Sequence, residues 1–208
     1  MSIYVVGSSK NKFLPLNDIR TKFIIDEPHD GANIDFLNPW YCELTGLYYM
    51  WRHCTDDIVG LEHYRRYFVN NKRELLTKSE IQSALSTYDI ILRYFECPRH
   101  QPTNWLHMSN PRKPFLQYFL QSLDDEYRDY ITNAIYSSHI LAQCNMFICK
   151  RPLLHEYCSW LFPALSKIPF DYFRQSSRII GYLAEFCFLH WVTFHNKKIL
   201  WGESITCH

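Results

Sequence analysis

Asp57-Ile58-Val59-Gly60-Leu61 is a compact apolar run that passes straight into Glu62-His63-Tyr64-Arg65-Arg66-Tyr67-Phe68. A short apolar stretch bounded by polar residues reads as a buried strand, here with charge at its C-terminal end. Its flanks decide what sort of sheet it joins. From Asn38 to about His53 the pattern is helical: Pro39 suits a first turn, and Leu44, Leu47, Tyr48 and Trp51 recur at three- and four-residue spacing. On the other side, Thr77-Lys78-Ser79-Glu80 is a capping box that opens a helix to about Ser86. A strand set between two helices, if the pattern repeats, implies a mostly parallel sheet covered by helices on both faces.

The pattern does repeat. Ile3 to Val6 reads as a first strand closed by Gly7-Ser8-Ser9, and Phe23 to Ile25 as a second. Further strands fall at Tyr88–Leu92 and Cys144–Cys149. Helices are expected over Asp124–Tyr136, from Pro152 to about Leu165, and over Ser176–Phe194. Glu96 to Pro114 is rich in Pro, His and Asn without a period, and reads as a loop of functional length. With 208 residues, no internal repeat and no linker, the reading is a single α/β domain over residues 1–208.

Composition narrows the function. Formal net charge is only +1, which argues against a broad basic face for nucleic acid. The 8 cysteines form no Cys-x-x-Cys, and with only the lone His155/Cys158 spacing no metal site is expected. The same cysteine usage points to a reducing compartment. The N-terminal stretch lacks the basic start and long apolar run of a signal peptide. Ile179 to Phe194, the longest apolar stretch, contains Glu185 and His190 and falls short of the ~20 residues that span a bilayer. These features predict a cytoplasmic protein, soluble or peripheral. Aromatic residues make up 17%, and most of them are expected to crowd the core or its rim.

Ligands of such sheets bind beyond the C-terminal ends of the strands. That rule points to Gly7-Ser8-Ser9, Glu62 to Arg66, Arg93 and Lys150-Arg151, a basic set suited to a phosphorylated ligand. Within Glu62 to Arg66, a continuing strand would send His63 and Arg65 one way and Tyr64 and Arg66 the other. Arg binds phosphate oxygens in pairs, so the cluster reads as a diphosphate clamp, against the alternative that Arg65 or Arg66 pairs with Glu43 or Glu62. Asn38 fits a helix cap as well as a ligand contact. Glu43 and Thr45, inside an otherwise apolar helix, call for partners. Asn145, at the start of an apolar strand, calls for a specific hydrogen bond to a ligand or a neighbouring loop. Arg178, Tyr182 and Glu185 share one helical face, where Glu185 is either a base with a raised pKa or the ion-pair partner of Arg178. Gly181 in that helix implies a close neighbour.

Five blocks together resemble the domain-of-unknown-function family numbered 4422. They are Asp30-x-x-Asn33-Ile34, Asn38-x-x-Tyr41-Cys42-Glu43-Leu44-Thr45, Gly60-Leu61-x-His63-Tyr64-Arg65-Arg66-Tyr67-Phe68, Asn145-Met146-Phe147-Ile148 and Arg178-x-x-Gly181-Tyr182-x-Ala184-Glu185. They occur in order over nearly the whole chain. Members are encoded among capsule, exopolysaccharide and O-antigen genes, and some transfer galactofuranose from a UDP donor. The resemblance implies a compact GT-A-like glycosyltransferase with a UDP-sugar donor and a lipid-linked or polysaccharide acceptor, reached at the inner membrane face. It draws Ser8, Lys10, Asn33, Asn38, Glu43, Thr45 and His63 to Arg66 into the donor site. Many GT-A enzymes hold a metal through Asp-x-Asp, but this chain has His63-Tyr64-Arg65 at the comparable place, so no cofactor is expected. For the base of an inverting transfer, Glu185 comes first, then Asp171 and Glu62. Two positions depart from the family: Ser9-Lys10 stands where a His-Lys pair is usual, and Phe186 where relatives carry Arg. The rival reading is a non-catalytic partner that binds a sugar nucleotide or glycan in a polysaccharide assembly complex.

Overall fold

The strand that carries the arginine cluster lies in the middle of the sheet. In the computed structural model, which describes residues 1–96, 113–174 and 176–206, this strand is β3 (Ile58–His63). It lies between β1 (Ser2–Gly7) and β6 (Ile140–Lys150), and β2 (Arg20–Ile24) lies outside β1. On the far side of β6 come β5 (Ile90–Glu96) and β7 (Ile199–Trp201). Pairings are parallel for β2–β1, β1–β3 and β5–β7, and antiparallel on both sides of β6. Five of these six strands therefore run one way and β6 alone opposes them, which is the mostly parallel sheet expected.

Val59 and Leu61 are wholly buried, as an apolar run covered on both faces requires. Gly60 lets the strands approach: a Cβ there would meet the Phe147 carbonyl oxygen at 2.9 Å. Alternate residues feed separate cores. Ile90, Leu92, Phe147 and Cys149 join the larger cluster, under α2 (Leu44–His53), α5 (Asp125–Ser137), α6 (Arg151–Ser166) and α7 (Ile179–Phe194). Ile91, Met146 and Ile148 pack on the other side with Ile81 and Leu85 of α3 (Lys78–Thr87). The Thr77–Glu80 capping box is formed, with Glu80 N donating to Thr77 Oγ1 and Thr77 N to Glu80 Oε2.

Several expectations are revised. The helix over Asn38–His53 is two helices, α1 (Asn38–Tyr41) and α2, because Cys42 turns the chain with φ 51° and ψ −126°. The strand after Leu61 does not continue. Tyr64 and Arg65 form a two-residue turn into β4 (Arg66–Val69), with His63 opposite Arg66, so all four side chains gather at one hairpin tip. β8 (Glu203–Thr206) completes the sheet by pairing with β4. Because β6 runs antiparallel, its end at Lys150-Arg151 sits beside Ile58, where β3 begins, and not at the crevice. The stretches that form β4, β7, β8 and α4 (Lys113–Gln121) were not recognised in the sequence. The loop expected over Glu96–Pro114 falls outside the described residues from 97 to 112, and its two ends belong to β5 and α4.

Glu62 has no solvent access and accepts from Arg20 through both oxygens, at 2.8 and 2.9 Å, and from Phe68 N at 3.0 Å. Arg20 also donates to Asn17 Oδ1 and to Leu76 O. Burial pushes the Glu62 carboxyl up, and the guanidinium opposes that push. Removing one member of a buried pair strands the other charge, at a cost of about 3–5 kcal/mol. Arg20→Ala is expected to lose that much in urea unfolding, and Glu62→Gln to lose stability too. An Arg20→Ala variant within about 1 kcal/mol of the parent would contradict this reading.

Candidate active site

The C-terminal ends of β1 and β3, the α1–α2 break and the start of α7 enclose a crevice of about 520 Å³. Three layers of side chains build it. Cations come from the β3–β4 hairpin and from Arg178: Arg65 is exposed, Arg66 partly buried, and Arg178 sits just before α7 with φ 63°. Among the described residues none of the three forms a carboxylate salt bridge. Arg66 Nη1 donates to Cys144 Sγ at 3.1 Å, while its buried Nε has no partner among the described residues. Guanidinium donors held this way around an opening are suited to an oxyanion. The positive end of the α7 dipole adds to the same field.

His63 belongs to this wall but not to its charge. Burial, then Arg66, Arg65 and Arg178, lower its pKa to about 4, so it is neutral at pH 7 and can donate from one ring nitrogen. Tyr64 stacks against the Arg65 guanidinium, 5.1 Å from its ring centre.

Below the cations lie two carboxylates, Glu43 from the α1–α2 break and Glu185 from α7. Asn145 Nδ2 donates to Glu43 Oε1 at 2.8 Å, and Cys144 N donates to Glu185 Oε2 at 3.2 Å. Both carboxyls are pushed up, chiefly by burial, and the Glu185 pKa reaches about 8 with the charge of Glu43 adding to the rise. Tyr182, one turn before Glu185, is 44% exposed and forms an aromatic rim.

Backbone strain collects here. Of the six non-glycine residues with positive φ among those described, Cys42, Cys144, Asn145 and Arg178 line or support this crevice. Each such residue costs on the order of 1–3 kcal/mol, held in place by the surrounding packing.

The structure brings together Ser8, Asn38, Glu43, His63, Tyr64, Arg65, Arg66, Arg178, Tyr182 and Glu185 as crevice lining. Asn38 is not a cap: α1 has no side-chain cap bond. Other candidates lie elsewhere. Glu62 is the buried partner of Arg20, and Asp171 is an exposed residue on a 3-10 turn, paired with Arg174 at 2.8 Å. Neither lines the crevice. Thr45 is buried and bonds Cys42 O, Asn33 bonds His29 O and Gly31 O within its own loop, and Lys10 is exposed outside the lining. Asn145 lies under the crevice floor, bonded to Glu43 and to Gly181 O. At Gly181 a Cβ would meet Cys42 and Tyr41 O at 3.5 Å, an ordinary contact, so the fit there is snug without demanding glycine. The Arg178–Glu185 ion pair is not formed. His155 accepts from Trp51 Nε1 at 3.1 Å and Cys158 is buried in the core.

Sequence reasoning missed Asn11, Cys42, Cys144 and Ser177 as lining residues. Cys42 was visible only as a member of the Tyr41-Cys42-Glu43 block, and Cys144 read as a small core residue. No local pattern marks Asn11 or Ser177.

The chain belongs to the family described as "Domain of unknown function (DUF4422)", whose model matches residues 3–197. Among solved structures it is similar to one described as "WbbM bifunctional glycosytransferase apo structure", at a TM-score of 0.80 and 20% identity. That likeness covers 100% of this chain but 45% of the other, so the chain spans less than half of that molecule's length. At such an identity the likeness is one of fold, and it agrees with a GT-A-like arrangement. No curated protein matches the chain.

The Glu185 carboxyl carries a consequence for stability. Its folded pKa of about 8 lies above the ordinary value of 4.5, so the folded state holds its proton more tightly than the unfolded chain does. Stability is then lost as pH rises from about 4.5 to 8, and the full loss stands above that window. Glu185→Gln, whose amide oxygen still accepts from Cys144 N, should melt with the parent near pH 4. Above pH 8 it should melt higher, by roughly 2–4 °C for each kcal/mol relieved. Parallel melting curves across the whole range would contradict the raised carboxyl.

Proposed function

We propose that this chain is a glycosyltransferase that moves a sugar from a nucleotide diphosphate donor, most simply a UDP-sugar, to a lipid-linked or polysaccharide acceptor. One observation carries the reading: three arginines that have no carboxylate partner among the described residues face the same crevice as Glu43 and Glu185. A sugar-nucleotide transferase needs both parts. The departing diphosphate gains charge as the bond from the sugar C1 to phosphate oxygen breaks, and fixed cations stabilise that charge. The acceptor hydroxyl forms the new C1–O bond and gives up its proton, for which Glu185 is the proposed base. The electron pair of the broken bond leaves with the diphosphate.

In this proposal Arg65, Arg66 and Arg178 replace a divalent metal at the diphosphate, since the hairpin after β3 presents His63-Tyr64-Arg65 to the crevice. The 208 residues would act as one transferase domain, and capsule, exopolysaccharide or O-antigen assembly would be its setting. No helix among the described residues is long and apolar enough to cross a membrane. In this reading a lipid-linked acceptor would draw the protein to the inner membrane face.

Isothermal titration with UDP is the test, with and without EDTA, beside Arg65→Ala. Binding should survive EDTA and weaken about tenfold or more in the variant. A donor screen led by UDP-galactofuranose follows, and Glu185→Gln should lower its turnover number about a hundredfold or more. Abolition of binding by EDTA would overturn metal independence. Nucleotide binding with no transfer from any donor would leave a sugar-nucleotide-binding partner instead of an enzyme.

A further inference from the structure

β6 breaks its ladder with β5 at one place. Leu92 faces Phe147 and Tyr94 faces Ala142, so two steps along β5 span five along β6. The surplus chain contains Cys144 and Asn145, with φ of 53° and 51°. These neighbours hold the two crevice carboxylates: the Cys144 N–H bonds Glu185, and the Asn145 amide bonds Glu43. Asn145 Nδ2 also reaches Gly181 O at 3.2 Å, tying the bulge to the first turn of α7, which carries Glu185 one turn later. The amide orientation is set by chemistry, because both neighbours of Nδ2 are acceptors. Asn145 is 1% exposed, yet its Oδ1 has no partner among the described residues. A bulge that disrupts a central ladder to aim backbone and side-chain donors is a feature of sites where chemistry is positioned.

We propose that Glu43 and Glu185 form a proton-sharing pair, and that Asn145 is the positioning residue that sets its geometry through the Cys144–Asn145 bulge. The pair holds one proton between two carboxyls, so one is the base while the other stays neutral and spares the crevice a second negative charge beside the donor diphosphate. In the proposed transfer the acceptor proton goes to the ionised member, leaving the pair doubly protonated until solvent takes one proton back. The charged and titratable groups facing the pair are Arg66 from β4, Arg178 before α7, Arg65 and His63 from the hairpin, Cys42 beside Glu43, and Cys144 from β6. The cations hold a single charge on the pair, and burial with mutual repulsion opposes a second. The catalytic part of this inference rests on the transferase reading, whereas the shared proton does not.

The test is carboxyl-carbon NMR titration of glutamate-labelled protein, assigned with Glu43→Gln and Glu185→Gln. The parent should show two linked steps, one of them well above the ordinary glutamate range. Glu43→Gln keeps an oxygen acceptor for Asn145 and removes the like charge, so the Glu185 step should fall by about one pH unit or more. Asn145→Gly suits the observed φ and deletes the amide. It should shift both steps, move the pH profile of turnover, and lower kcat roughly tenfold to a hundredfold with little change in donor KM. A melting curve for each variant separates misfolding from mispositioning, and the isosteric Glu43→Gln tests the coupling even where Asn145→Gly does not fold. An unmoved Glu185 step in Glu43→Gln overturns the shared proton, and an Asn145→Gly protein with unchanged steps and kcat overturns the positioning role. Linked steps without transfer would defeat the transferase reading and leave the pair standing. Transfer with independent steps would do the reverse.

Discussion

A carboxylate and a guanidinium shut away from water at the middle of the sheet set the geometry on which the crevice depends. Glu62 is the last buried residue before the hairpin tip, and its oxygens are taken by Arg20 of β2 and by Phe68 N of β4. Arg20 in turn holds Asn17 and Leu76 O, so one ion pair fixes β2, the hairpin and the approach to α3. A buried pair of this kind is weak as a source of net stability, because desolvation consumes most of the attraction. Its value is directional. Bidentate geometry admits one placement of β4 against β3, and that placement points four side chains, His63 to Arg66, into one opening.

The rest of the crevice answers that cation wall with an unusual economy of charge. Glu43 and Glu185 stand close enough to the arginines to feel them, yet form no salt bridge with them among the described residues. The guanidinium donors and the carboxylate acceptors are thus kept for something other than each other. The chain accepts left-handed backbone at Cys42, Cys144, Asn145 and Arg178 to hold this arrangement. Such strain persists where surrounding structure over-determines it, here through α2, β6 and α7, each of which sends side chains into the larger apolar core. The aromatic richness serves the same purpose. Tyr157, Phe188, Trp160 and Trp191 interlock around α6 and α7, giving the site-bearing helix a rigid bed, while Tyr64 and Tyr182 stay at the rim.

Asn145 illustrates how a residue can be read correctly in kind and remain unassigned in place. An amide at the start of an apolar strand announced a specific hydrogen bond, and the bond exists. Its partner, 102 positions away in sequence, is the other residue that looked out of place, Glu43 inside an apolar stretch. Each anomaly was legible alone, but their being one contact was not. Glu62 shows the opposite outcome. A Glu beside an Arg-rich cluster looked available for chemistry, and its neighbour in space turned out to be Arg20, which no local pattern connects to it.

What the amino-acid sequence determined by itself was whatever short-range physics controls. Apolar runs and helical spacing located β1, β3, α3, α5 and α6 to within a few residues, and the Thr77–Glu80 cap set the start of its helix. The clustering of His63 to Arg66 was covalent adjacency, so it survived folding whatever the direction of the strands. Tertiary structure alone decided the sense of β6, because an apolar strand buried on both faces reads the same in either direction. That reversal moved Lys150-Arg151 away from the crevice and brought Cys144 and Asn145 into its floor. It also decided which carboxylates are neighbours, since burial and partner charge depend on distances through space that separation along the chain does not encode.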